Sequence, residues 1–554
     1  MTLPALEHAT MAELVLARAE DPHTALLFED SSWTWQEFVR QAAVRAAVLE
    51  ELRPPDDAPW HVGVLLENVP EYLLLIAGAA LSGATVVGIN PTRRGAELAA
   101  DIRSTDVATI LLAPVHADLL VGIDHGAARV LDVEGAEYAA LLERHAGAAV
   151  EASEAALDPR TTLLLLFTSG STGAPKAVVC STGRWATVCQ LTPIPIGRED
   201  VAYNAMPLFH GNALMGAWGP CLHHGATLAM RRRFSASGFL EDVLRFEATF
   251  FNYVGRSLAY VLAQPERPEE GRTRLRFGFG TEASTRDREE FLRRYGVAVS
   301  ESYGSSEGTC YIVRTPETPD AALGVPQVGF EVEIVGEDGR VCPPARFDAD
   351  GVLLNPAEAT GEIVSRGAAA RFEGYYRNPE ASAAKLRDGD FWTGDLGYRD
   401  EAGFFYFAGR TADWLRVDSE NFAAAPIERI LGRHPGVAVA AVYPVPDPRT
   451  GDQVMATLQL ADPDGGIDPD DLSRFLDAQP DLGTKWAPRW IRLTSDLPVT
   501  ATRKVDKPAL RRLLWSGDDV LLERVEGRYL PFTLARREKL LAEYAEHGRA
   551  DLVS

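Results

Sequence analysis

Few features of this 554-residue chain tie it to export, to a bilayer or to nucleic acid. Its five cysteines, Cys180, Cys189, Cys221, Cys310 and Cys342, show no paired spacing; this implies neither a disulfide framework nor a zinc site and predicts a reduced, cytoplasmic setting. The opening Met1-Thr2-Leu3-Pro4 leads into an acidic amphipathic stretch, so the basic-then-apolar pattern of an export signal is missing. Positive charge is in deficit. The 55 basic residues against 79 acidic ones leave −24, which favours solubility and argues against a phosphate backbone or an anionic membrane as the main partner. Residues 72–92 are uncharged and long enough to cross a bilayer, but Gly78, Gly83, Gly88, Asn90 and Pro91 interrupt them. They predict a buried helix followed by a buried strand, not a span. Repeats and low-complexity tracts are also absent.

What is present is the pattern of a large α/β protein. Hydrophobic residues at 46% and charged residues at 24% are ordinary for a globular chain, and the length exceeds what one core organises, so at least two domains are expected. Apolar runs at 61–66, 85–89, 109–112, 130–133 and 163–167 are separated by segments of helical length, the alternation of βαβ units and parallel sheets. Trp33-Thr34-Trp35-Gln36-Glu37-Phe38 opens a helix, and Ala-rich residues 138–157 predict a surface helix. Between Gly324 and Gly367, β-branched residues alternate with Gly and Asp, predicting a smaller antiparallel element. After Gly409-Arg410 the pattern becomes compact α+β, with strands at 437–445 and 454–460. The expected fold is α/β: stacked βαβ sheets plus a β-rich subdomain over residues 1–410, and a small α+β domain over 411–554.

Nine residues, Thr168-Ser169-Gly170-Ser171-Thr172-Gly173-Ala174-Pro175-Lys176, follow the apolar run 163–167 as a phosphate-holding loop follows a buried strand. Glycines bring backbone N–H groups against phosphate oxygens, the hydroxyls of Thr168, Ser169, Ser171 and Thr172 add donors, and Lys176 adds positive charge. A Walker A loop is excluded, because Pro175 precedes the lysine and Ala177 follows it. Alone, such a stretch reads as a Ser/Gly-rich turn.

It is not alone. Met206-Pro207-Leu208-Phe209-His210, Tyr303-Gly304-Ser305-Ser306-Glu307, Gly361-Glu362-Ile363, Trp392-Thr393-Gly394-Asp395, Gly409-Arg410 and Arg503-Lys504 follow in order. With the loop, these blocks resemble the signature of the adenylate-forming superfamily of acyl-CoA synthetases, adenylation domains and luciferases, and they cover nearly the whole chain. Tyr375-Tyr376-Arg377-Asn378-Pro379-Glu380 and Asp413-Trp414-Leu415-Arg416-Val417-Asp418-Ser419-Glu420-Asn421 narrow the likeness to the fatty-acyl and very-long-chain acyl-CoA synthetase branch.

The resemblance implies ATP, Mg²⁺ and CoA. Attack of a carboxylate on the α-phosphate brings two anions together, so the site must supply cations, donors and a metal. Residue by residue, the resemblance makes Lys504 the catalytic cation, Glu307 the magnesium ligand and Ser306 the hydroxyl beside the α-phosphate, where relatives usually carry Thr. Thr168, Ser169, Gly170, Ser171, Thr172, Gly173 and Lys176 would hold phosphates. Tyr303 and Gly280-Thr281-Glu282 would meet adenine, Asp395 and Arg410 the ribose. His210 would line the carboxylate tunnel, and the C-terminal domain would rotate between steps. Taken singly, a loop glutamate, an Asp after Gly, a lone histidine and a basic face of Arg503, Lys504 and Lys507 all read as structural or solvated.

Three departures matter. Arg503 stands where Gly usually precedes the lysine, Ala412 occupies the hinge position usually held by Asp or Lys, and Ser419 stands where relatives often have Gly along the pantetheine tunnel. Thr309, Cys310 and Tyr311 are bulkier than a long acyl channel calls for, which suggests a shorter or aromatic acid. The leading reading is a ligase making acyl-AMP and pyrophosphate, then acyl-CoA. A nitrite-adenylating diazotase without CoA and a catalytically silent nucleotide-binding protein are the alternatives.

Overall fold

The computed structural model describes all residues but 1–5, 56–57, 169–175, 193, 282, 284, 349–352, 411–413, 418–419, 450–451, 463–464, 480–481, 483–484, 501–503 and 554. The chain divides into two units, residues 1–311 with 368–389, and residues 312–367 with 390–554.

Two mainly parallel sheets organise the first unit. One is six-stranded, in the order Arg129–Asp132, Thr109–Leu112, His61–Leu65, Thr85–Gly88, Thr162–Thr168, Lys176–Ser181, and only its last pair is antiparallel. His61–Leu65, Thr85–Gly88 and Thr109–Leu112 are buried at every position, the condition of parallel strands covered on both faces. The other sheet runs Val299–Gly304, Phe277–Thr281, Phe250–Val254, Val201–Asn204, Thr227–Met230, Thr24–Phe28, all parallel, with Ser31–Thr34 antiparallel at the edge.

Local chemistry explains the helices. Thr34 and Glu37 form a reciprocal capping box that starts helix Trp35–Glu51. Helix Pro70–Ser82 begins with a proline, is buried from Tyr72 onward, and stops at Gly83, whose φ of +92° suits only glycine well. The uncharged segment is thus a buried helix and strand, and no described helix is long and apolar enough to cross a membrane.

One expectation is corrected. The surface helix read over 138–157 is instead a helix Ala136–Arg144 and a single 3₁₀ turn at Ala155–Leu157. Only Tyr138 and Leu141 of the helix are buried, and Gly147 just beyond weakens continuation by about 1 kcal/mol relative to Ala. His145 leaves the helix axis to meet Glu51 at 2.7 Å.

The second unit holds the predicted antiparallel element, in which Val332–Val335, Gly361–Ser365, Asp390–Arg399 and Phe405–Arg410 pair in succession. Its C-terminal part is a five-stranded sheet of Val437–Pro446, Asp452–Leu460, Trp490–Thr494, Val520–Val525 and Arg528–Pro531. Helices Ala424–Leu431 and Pro469–Asp477 contribute Ile427, Ile430, Leu431, Leu472 and Leu476 to its core.

Candidate active site

Because the strands of the second sheet of the first unit are parallel, their carboxyl ends share one edge, where open α/β sheets bind ligands. Gly280 and Thr281 end one strand, and Tyr303 and Gly304 end the next, with Ser306 and Glu307 following at once. A Cβ at Gly280 would collide with the Tyr253 carbonyl, so glycine permits the close approach of those strands. Met206 to His210 follow strand Val201–Asn204. The Leu208 N–H donates to buried Asn68 Oδ1 at 3.0 Å, and Asn68 Nδ2 donates to the Met206 carbonyl at 3.0 Å, fixing that segment. His210 precedes helix Gly211–Ala213, after which the backbone makes a π turn at Leu214–Trp218.

Strands Thr162–Thr168 and Lys176–Ser181, which flank the phosphate-loop motif, are antiparallel neighbours in a hairpin. Thr168 pairs directly with Lys176, while Ser169, Gly170, Ser171, Thr172 and Gly173 lie outside the described residues. Lys176 Nζ stands 5.1 Å from the centre of the Tyr375 ring. Tyr375 arrives on a segment that lines the hairpin: the Val179 N–H donates to the Gly374 carbonyl at 3.1 Å, and the Tyr376 N–H to the Ala177 carbonyl at 2.8 Å.

The Tyr375 hydroxyl donates to Glu307 Oε1 at 2.7 Å. Burial, reinforced by the Glu307 charge, holds this phenol well above its ordinary pKa and keeps it a donor. Glu307 is itself only 9% exposed, and among the described residues Tyr375 is its one hydrogen-bond donor and no cation is paired with it. Arg184 secures the same turn from the other side, donating to the Ser306 carbonyl and, at 2.8 Å, to the Val179 carbonyl. Gly308, at φ +67°, lets the chain pass this guanidinium; a Cβ there would lie 2.8 Å from Arg184 Nε.

A carboxylate held by one neutral donor keeps lone pairs that a bound cation can take. Magnesium takes one or two protein carboxylates together with phosphate oxygens and water, so Glu307 fits a metal delivered on a triphosphate. No cluster of three His, Cys, Asp or Glu side chains stands ready for a metal among the described residues.

In the second unit three blocks distant in sequence become neighbours. The Gly394 N–H donates to Glu362 Oε1 at 2.7 Å, Thr393 Oγ1 donates to the Ile363 carbonyl at 2.7 Å, and Asp395 lies opposite Arg410 in register. Lys504 belongs to a separate turn: its N–H donates to Thr500 Oγ1 at 3.2 Å and its carbonyl accepts the Thr500 N–H at 2.8 Å. Lys507, read as one of a solvated basic face, instead pairs with Glu428 at 2.8 Å. Glu282, Ala412, Ser419 and Arg503 lie outside the described residues. Thr309 and Cys310 are fully buried, and the Tyr311 ring lies against Gly304, where a Cβ would meet it at 2.9 Å.

Sequence reasoning missed Arg184, Asn68 and the structural part of Glu362. Tyr375 was visible only as part of a motif, since no spacing ties it to Glu307.

A buried carboxylate at a parallel-sheet edge and a hairpin lysine, both in contact with Tyr375, fit a nucleotide-handling α/β enzyme. The family comparison makes this specific. The AMP-binding enzyme model matches residues 15–376, the AMP-binding enzyme C-terminal domain model matches 426–504, and the chain belongs to the AMP-binding enzyme family. It is 49% identical to a steroid-22-oyl-CoA synthetase of Rhodococcus jostii, over 98% of this chain and 99% of that one. It is 42% identical to a medium/long-chain-fatty-acid–CoA ligase of Mycobacterium marinum, over 92% of this chain and 97% of that one. Among solved structures, the o-succinylbenzoate CoA synthetase of Bacillus subtilis in complex with its acyl-adenylate intermediate superimposes with a TM-score of 0.74 at 25% identity, covering 92% of this chain and 99% of that one. These relatives give no support to the nitrite-adenylating alternative, and they speak for an enzyme over a silent nucleotide-binding protein.

Proposed function

We propose that this chain is an ATP-dependent, AMP-forming ligase that joins a bulky apolar carboxylic acid to CoA in the cytoplasm. A steroid side-chain acid is the first substrate class to test and a medium- or long-chain fatty acid the second, after the names of the two relatives. The observation that carries the reading is the buried Glu307, paired with no cation among the described residues and held by Tyr375, whose ring lies against Lys176, in a chain matched along nearly its full length by CoA ligases.

In the first step an oxygen of the acid forms a bond to the α-phosphorus while the bond from that phosphorus to the bridging oxygen breaks, releasing pyrophosphate. In this reading Lys504 stabilises the charge developing between carboxylate and α-phosphate, and the Ser306 hydroxyl donates to an α-phosphate oxygen. Lys176 and the hydroxyls of Thr168 and the loop hold the terminal phosphates. Asp395 accepts from the ribose hydroxyls with Arg410 beside it, Tyr303 and Gly280-Thr281-Glu282 receive adenine, and His210 borders the acid. Magnesium, with Glu307 as its protein ligand, supplies charge neutralisation on the triphosphate. In the second step the CoA thiol displaces AMP from the acyl carbonyl, after residues 411–554 have withdrawn Lys504.

The test is a substrate panel. Steroid side-chain carboxylates, fatty acids of graded length, aryl acids and nitrite are each supplied with ATP, with and without CoA, and pyrophosphate and thioester are measured. Pyrophosphate release that depends on an acid, and a thioester that appears only with CoA, are expected. Turnover indifferent to CoA overturns the proposal.

A further inference from the structure

We propose that Tyr375 is a positioning residue that sets the affinity of Glu307 for the metal through its hydroxyl while its ring seats Lys176. The proposal rests on the reading of Glu307 as the magnesium ligand. It starts from the two ends of one side chain: the hydroxyl is 2.7 Å from Glu307 Oε1, and the ring centre is 5.1 Å from Lys176 Nζ.

The type of donor matters. A lysine or arginine at this place would neutralise Glu307 and compete with a metal for it. A phenol, being neutral, occupies one lone pair, fixes the rotamer of the carboxylate and leaves its charge for a cation. Hydrogen bonds of this kind orient metal ligands, and their loss typically costs 10–100-fold in metal affinity.

Tyr375 is held rigidly enough to do this. Its N–H donates to Ser382 Oγ at 2.9 Å, and Ser382 Oγ in turn donates to the Asn378 carbonyl at 2.8 Å. The backbone on either side is bonded to the hairpin strand through Gly374 and Tyr376, and the side chain is 5% exposed. The turn that carries Glu307 is fixed independently by Arg184 at the Ser306 carbonyl. A ring braced on the hairpin and a carboxylate braced on the sheet edge therefore meet through one hydrogen bond, which couples the phosphate lysine to the metal ligand.

The experiment is binding of Mn²⁺ in the presence of ATP, followed by electron paramagnetic resonance on the full-length wild type, Tyr375→Phe, Glu307→Gln and the double variant. Tyr375→Phe keeps the ring and should raise the Mn²⁺ Kd by about tenfold, with ATP binding in EDTA unchanged. The double variant should bind no more weakly than Glu307→Gln alone, because the hydroxyl acts through the carboxylate. Replacement of Tyr375 by 3-fluorotyrosine, which retains the hydroxyl and disturbs packing least, should keep wild-type affinity. Wild-type Mn²⁺ affinity in Tyr375→Phe alongside a weakened Glu307→Gln would overturn the inference and spare the metal reading. Unchanged affinity in Glu307→Gln would overturn the metal reading itself.

Discussion

The Gly394 N–H points at Glu362 Oε1 at 2.7 Å, joining two motif blocks 32 residues apart. Gly394 sits at φ +81°, a conformation that glycine adopts without strain, and the next residue is Asp395. The carboxylate of one strand therefore fixes the backbone of the next just before Asp395, the residue proposed to receive the ribose.

Replacing Glu362 by Ala removes a charge-assisted bond worth about 1.5–3 kcal/mol. The KM for ATP should rise roughly tenfold with kcat less affected, whereas Glu362→Gln, which keeps an acceptor, should recover most of the loss. Steady-state pyrophosphate release decides this; equal kinetics for all three proteins would dissociate Glu362 from nucleotide binding.

Lys504→Ala should slow acyl-adenylate formation by about 10²–10³-fold. Thioester formation from a chemically prepared acyl-adenylate and CoA should survive, since the proposed mechanism gives Lys504 no part in that half-reaction. Parallel loss of both half-reactions would contradict the assigned role.

Arg294 and Glu270 form a doubly hydrogen-bonded pair, each side chain 3% exposed. Arg294→Ala leaves the carboxylate buried and unpaired, which should cost about 3–5 kcal/mol of stability. A large fall in the urea midpoint is the expected result, with activity per folded molecule retained.

Asp21 is held down to about 2 from an ordinary 3.8, chiefly by its hydrogen bond from Arg198. A depressed carboxyl adds stability that is complete above 3.8 and is lost as the pH falls toward 2. The gap in thermal midpoint between wild type and Asp21→Asn should therefore be wide at neutral pH and shrink steadily below about pH 4. A gap independent of pH would remove Asp21 from the acid response.

Thiol chemistry should distinguish one cysteine. Cys180, Cys189, Cys221 and Cys310 are buried, and burial pushes the Cys180 thiol up to about 11, whereas Cys342 is half-exposed. Cys342 should react first with a chromogenic disulfide, and the others only on unfolding.

Much of the fold was legible because its signals are local. Continuous apolar runs at 61–66, 85–89 and 109–112 marked strands that the structure places at 61–65, 85–88 and 109–112, and glycine and proline marked where residues 72–92 break into helix and strand. The helix over 138–157 was overread because alanine content suggests helix without supplying an apolar face to hold it. At the site, residue types revealed what chemistry needs, yet not who holds whom. Arg184 and Ser306 are 122 positions apart, and Tyr375 and Glu307 are 68 apart; such partnerships arise from packing and leave no periodicity to read.

The unit that carries Glu307 is not one stretch of chain, since residues 368–389 return to it after an excursion of 56 residues, 312–367, elsewhere. Tyr375 travels on that returning piece. A fragment ending at Tyr311 would keep every phosphate motif and still lose the phenol, so dissection of the enzyme by proteolysis or truncation must preserve a segment that no linear boundary would include. Ribosomal synthesis meets the same condition: the Glu307 carboxylate emerges well before the Tyr375 hydroxyl that bonds it, and the first unit is completed late.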